Sequence, residues 1–150
     1  MVERIPMSFT DAELTYMSSQ VLGRLATSHP NGTLQVSPVG FRYNGGTGTI
    51  DIAGHGMAKS RKFRNVVANG RAAFVIDDLA SVQPWRPRML EIRGYGEAIA
   101  EPADSAYADA APPGLDGAII RIHPRRVISF NINDPDGDAK SLKVRGRDFV

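Results

Sequence analysis

Residues 55–74 read HGMAKSRKFRNVVANGRAAF, and this stretch decides the fold. Phe63, Val66 and Val67 stand at i, i+3 and i+4, the spacing of a helix with one apolar face. A helix is therefore predicted over 58–68, with those three side chains toward the protein interior and Arg61 and Lys62 away from it. Asn69-Gly70 ends it, Gly70 being suited to the left-handed position after a helix. Residues 72–76 follow as an apolar strand, which Asp77-Asp78 terminates.

Everything before this helix reads as a β-meander. Residues 21–27 and 34–43 are strands joined through the turn signal Pro30-Asn31-Gly32, and 49–53 is a third after the glycine-rich turn at 44–48. Pro38 cannot donate to a ladder, so its strand is an edge or carries a bulge. Thr10 and Glu13 have capping-box spacing and predict a helix over about 11–19. Downstream, residues 79–88 form a loop around Pro84, Trp85 and Pro87, and 90–100 a strand bent at Gly94 and Gly96. Residues 101–117, rich in Ala, Pro and Asp, hold a short helix or an irregular segment. Strands at 118–122 and 127–132 are joined around His123-Pro124, and a polar tail starts at 133. Six or seven antiparallel strands with one or two short helices make a mainly-β, closed or half-closed barrel, a single domain over 1–150.

The net charge is only +2, and aromatics number eleven, so nucleic acid is not the expected partner. There is no cysteine, which excludes disulfides and thiolate chemistry. The start MVERIPMSFT lacks an apolar signal core, so the expectation is a cytoplasmic protein without membrane association. His29, His55 and His123 lack metal-ligand spacing, and no metal is expected. The run at 134–138 resembles the start of a calcium loop, but its sixth and twelfth positions are Ala139 and Arg145, against an EF-hand. Gly54-His55-Gly56 is not a dinucleotide fingerprint, and no serine sits in a nucleophile elbow.

The cations are more informative. Lys59, Arg61 and Lys62 gather where the helix begins, and there each opposes the macrodipole. Either that face is solvated, or an anion binds it. A strand, a glycine-bearing loop and a helix start with Ser60, Arg61 and Lys62 supply free N–H groups, a hydroxyl and cations, which suits a phosphate. Trp85-Arg86 offers a flat surface and a cation for a planar anionic ligand, or else an anchor in a core or interface.

Ser60-Arg61-Lys62, followed by Asn69-Gly70-Arg71-Ala72-Ala73-Phe74-Val75, resembles the pyridoxamine 5′-phosphate oxidase-like superfamily of flavin-binding split barrels. Gly70 replaces the proline common there. Leu22-Gly23-Arg24-Leu25-Ala26-Thr27 and Val36-Ser37-Pro38-Val39-Gly40-Phe41 are similar to the branch that uses the deazaflavin coenzyme F420. Asp77-Asp78-Leu79-Ala80-Ser81-Val82 with Pro84-Trp85-Arg86-Pro87-Arg88 is similar to an actinobacterial subgroup that includes a reductase of late tetracycline biosynthesis. The resemblance covers about 9–132. It implies a split barrel, a homodimer with sites at the subunit interface, and an oxidoreductase passing hydride from F420 to a conjugated double bond of a small molecule. An FMN-binding enzyme, or a non-catalytic flavin or F420 carrier, is the alternative. Under the resemblance Ser60, Arg61 and Lys62, with Lys59 nearby, hold phosphate. Ser37, Pro38 and Val39 line the ring from one strand, Ala53 and Gly54 from the next, and Trp85 and Arg86 close the site. His55 is the candidate for positioning or protonation; no other catalytic residue is expected.

Overall fold

A computed structural model of the protein describes residues 8–102, 115–133 and 142–149. Helix α1 (Asp11–Ser18) opens the chain, closed at its start by the reciprocal Thr10–Glu13 capping box that the spacing predicts. Strands β1 (Leu22–Ser28), β2 (Leu34–Gly40), β3 (Arg42–Asn44) and β4 (Thr49–His55) form the meander. A single 3₁₀ turn (Met57–Lys59) and helix α2 (Arg61–Asn69) interrupt it. Strands β5 (Arg71–Ser81), β6 (Arg86–Ile99), β7 (Leu115–Phe130) and β8 (Arg145–Asp148) complete the sheet.

All pairings are antiparallel, in the order β2-β1-β5-β6-β7-β4-β3, with β8 added to β7. β2 and β3 lie at opposite ends of that order, yet only Phe41 separates them in the chain. The sheet must therefore curl until β2 lies beside β4. Phe41 sits at the joint and packs edge-to-face on Phe74, with ring centroids 5.2 Å apart. Ile50, Ile52, Ile76, Leu90, Ile92, Ile120 and Ile122 fill the interior and are fully buried. Among the described residues no helix is long and apolar enough to cross a membrane.

Helix α2 crosses the mouth of this half-barrel against β1 and β6, and ends at Gly70 in the left-handed region. Its inward face differs from the expected one. Phe63 and Val66 are buried, but Val67 is 67% exposed and the fully buried position is Asn65. At 100° per residue the inward arc runs through 62, 63, 65, 66 and 69, so 67 falls outside it. Lys62 lies on that arc and is half-buried, whereas Arg61 is exposed as expected.

Several boundaries also differ. Asp77-Asp78 does not end β5, because both carboxylates are neutralised: Asp77 pairs with Arg24 at 3.0 Å, and Asp78 with Arg88. The expected loop at 79–88 shrinks to the turn at 82–85. The strands expected at 118–122 and 127–132 are one strand, because Pro124 is accommodated by a bulge opposite Gly94. A Cβ on Gly94 would stand 2.0 Å from the His123 carbonyl oxygen, so only glycine permits this approach. Within the polar tail, Arg145–Asp148 form strand β8. Most of the Ala- and Pro-rich stretch, and the run at 134–138, lie outside the described residues.

Candidate functional site

The basic junction is built by three successive changes of backbone direction. β4 ends at the exposed His55, and Gly56 turns the chain with φ 54° and ψ 37°. The 3₁₀ turn follows, and Ser60 leaves it in an extended conformation to cap α2. The Ser60 hydroxyl donates to the Met57 carbonyl at 2.6 Å and accepts from the Phe63 N–H at 3.2 Å. Its proton is committed, which leaves one lone pair for any ligand. The amides of Arg61 and Lys62 precede the helical ladder and have no acceptor in the described chain. The side chains of Lys59, Arg61 and Lys62 likewise make no ion pair or hydrogen bond among the described residues, and the first turn of α2 holds no acid. One carboxylate approaches: Asp116 accepts from the Ala58 N–H at 2.9 Å. The junction thus offers two free N–H groups and three cations, a set suited to an oxyanion.

The strand residues divide by alternation. Ser37 and Val39 face inward, whereas Pro38 shares the outer face with Val36. As Pro38 implies, β2 is an edge of the sheet, and Ser37 and Val39 lie on it beside β4. Ala53 and Gly54 are half-buried on β4, where a bulge separates Ala53 from His55. Three side-chain polar atoms of the described residues are buried without a partner: Ser37 Oγ, Arg86 Nε and Asn65 Oδ1. Two of them belong to residues expected to meet a cofactor.

Asn65 is the residue that sequence reasoning missed. Its Nδ2 donates to Thr27 Oγ1 at 3.1 Å and Gln35 Oε1 at 3.5 Å, tying α2 to β1 and β2. The signal was a polar residue lying within the helix's inward arc. Trp85 stands apart from the junction. It is 52% exposed and lines an outer cleft of about 790 Å³ with Arg24, Val36, Val75, Met89 and Phe130. None of Lys59, Ser60, Arg61 and Lys62 lines that cleft. Within one chain the two expected halves of the site remain on different walls.

A curled antiparallel sheet with a short helix across its mouth defines a split β-barrel protein. The profile described as pyridoxamine 5′-phosphate oxidase matches residues 9–132, and the chain belongs to that family. Over 144 residues it is 40% identical to the 5a,11a-dehydrotetracycline/5a,11a-dehydrooxytetracycline reductase of Streptomyces rimosus subsp. rimosus. That match covers 96% of this chain and 95% of the relative. Among solved structures, an F420 reductase is similar with a TM-score of 0.53 and 27% identity, over 69% of this chain and 86% of that one. HupZ of group A Streptococcus is similar in fold, with a TM-score of 0.66 at 17% identity, over 87% of this chain and 97% of its own.

Proposed function

We propose that this chain is an oxidoreductase that uses coenzyme F420 to reduce a conjugated carbon–carbon double bond of a polycyclic small molecule. The observation that carries the reading is the full-length 40% identity to a dehydrotetracycline reductase. The uncommitted donors of the Lys59–Lys62 junction support it. In this reading the Arg61 and Lys62 amides and the Lys59, Arg61 and Lys62 side chains hold the cofactor phosphate. Ser37 Oγ and Arg86 Nε, buried without partners, are hydrogen-bonding groups for the polar edge of its ring. Val39, Ala53 and Gly54 supply close apolar walls, and Pro38 and Trp85 act across the interface of a homodimer.

When bound, the reduced deazaflavin supplies the hydride, and a proton completes the saturated product. The protein's own part is orientation, exclusion of water and charge complementarity. That division agrees with a site without a self-sufficient acid–base apparatus; His55, flanked by two glycines, is the candidate to orient or protonate the acceptor.

The test is a side-by-side titration with F420 and FMN, followed by anaerobic oxidation of reduced F420 in the presence of an unsaturated polycyclic ketone. Tighter binding of F420 together with acceptor-dependent oxidation is expected. Tight FMN binding with no F420 binding would transfer the chain to the FMN-dependent reading. Binding of F420 without turnover of any acceptor would make it a carrier.

A further inference from the structure

A second cleft, of about 500 Å³, lies apart from every residue of the proposed cofactor site. One wall is aromatic: Phe9 meets Tyr43 edge-to-face at 5.7 Å and Phe149 at 5.1 Å between ring centroids. The cleft is also lined by a flat stack in which the Tyr95 and His123 rings lie 4.5 Å apart and 8° from parallel. The Arg125 guanidinium sits 4.8 Å from the Tyr95 ring centre. The β3–β4 turn closes the rim, with the Thr47 and Thr49 hydroxyls 2.6 Å apart.

The bulge of β7 explains how Arg125 reaches this place. Arg93 pairs with Arg126 and Gly94 with Pro124, so Arg125 is the extra residue with no partner on β6. Such bulges re-aim a side chain, and they are common beside functional sites. Gly94, which alone tolerates the His123 carbonyl, makes the bulge possible. The Arg125 carbonyl accepts from the Phe149 N–H at 2.7 Å, which joins the two aromatic clusters through the C-terminal strand. Arg125 forms no ion pair among the described residues, whereas His123 Nε2 is already engaged with Glu97 at 3.0 Å.

We propose that this cleft is a second ligand site, which takes a planar fused-ring molecule bearing one anionic group. The aromatic side chains that line the cleft contact the rings. Arg125, exposed and without a counter-charge among the described residues, pairs with the anion. The volume lies within the range of about 300–1,000 Å³ usual for small-molecule sites. The site is independent of the cofactor reading, because it shares no residue with it.

The experiment uses anilinonaphthalene sulfonate as the planar anion and phenylnaphthylamine as the same rings without charge. Both are titrated into the full chain by fluorescence, and ¹⁵N amide shifts locate the binding. Two variants separate the contributions. Arg125→Ala removes the cation at an exposed position. Gly45→Phe fills the cleft from a position where a Cβ would meet only Tyr43, at 3.7 Å. The expected result is one saturable sulfonate site per chain, with shifts at Thr47, Thr49, Tyr95 and Phe149. Arg125→Ala should weaken the sulfonate by about tenfold or more while leaving the neutral amine nearly unchanged. Gly45→Phe should abolish both, with circular dichroism unaltered. The proposal is overturned if neither variant changes sulfonate binding, if the shifts map elsewhere, or if no saturable binding occurs.

Discussion

Arg147 on β8 donates from both terminal guanidinium nitrogens to the carboxylate of Glu13, 134 positions earlier in the chain. The same carboxylate accepts from the Thr10 N–H at 2.9 Å and is 3% exposed. One buried acid therefore closes the cap of α1 and anchors the C-terminal strand. Arg147→Ala would strand that charge, a loss expected to cost roughly 3 kcal/mol in urea unfolding. Glu13→Gln in the Arg147→Ala background should recover part of it, because a neutral amide is cheaper to bury. A cost of less than about 0.5 kcal/mol, the size of an exposed pair, would mean that the bridge contributes little.

Acid should weaken the fold through Asp51. Burial disfavours its ionisation, but hydrogen bonds from Arg121, Asn44 and Thr49 outweigh that effect and hold the carboxyl below its ordinary range. Asp78 is shifted the same way, first by its hydrogen bond from Arg88, against burial, and further by Tyr16 and Gln20. A depressed folded value means that the stabilisation is fully present above the unfolded value of about 4 and is lost as pH falls through the folded one. The urea midpoint should be level near neutrality and fall on acidification below about pH 4. Asp51→Asn should be less stable at neutral pH and show a shallower acid limb. An unchanged acid limb in that variant would remove Asp51 from the explanation.

The parts of this fold governed by neighbours in sequence were legible without coordinates. The Thr10–Glu13 box, the stop of α2 at Gly70 and the edge position of β2 all follow from local chemistry, whereas α2 starts at Arg61 rather than 58 because a 3₁₀ turn over Met57–Lys59 precedes it. What escaped depends on distant partners. Asp77-Asp78 reads as a strand terminator until Arg24 and Arg88 are seen to neutralise it, with the Tyr16 hydroxyl donating to Asp78. Pro124 reads as a break until Gly94 stands opposite. The polar tail shows no sign of the strand at 145–148, because Glu13, the partner of Arg147, is at the other end of the chain. In the candidate site the basic junction was visible, while Asn65 was hidden by the habit of assigning asparagine to the outside of a helix.

Replacing the cations of the junction should separate binding from folding. Arg61→Ala and Lys62→Ala each remove a charge-assisted contact to the proposed phosphate, and each should lower F420 affinity by about tenfold or more. Thermal stability should hold or rise slightly, since both cations oppose the dipole of α2. Ser60→Ala should behave differently, costing about 1 kcal/mol of stability because its hydroxyl caps the Phe63 N–H. Calorimetric titration beside thermal unfolding distinguishes the classes. Unchanged affinity in both cation variants would rule out the phosphate assignment.

His55 provides the sharpest test of how little acid–base chemistry the protein itself contributes. It is exposed at the end of β4, opposite Leu115, and its flanking glycines allow a ligand to approach the backbone closely. A proton donor must reach the acceptor, and an imidazole is the side chain most often used as a general acid. If His55 is that donor, His55→Gln should slow single-turnover oxidation of the reduced cofactor by roughly 10²-fold and alter its pH profile. Glutamine retains hydrogen bonding, so a purely positioning role predicts a loss of only a few-fold with the profile intact. The pH profile is the deciding measurement, because a loop distortion would lower the rate without moving an ionisation. An unaltered profile with nearly full rate would assign the proton to solvent, and the rate enhancement to placement of hydride donor and acceptor.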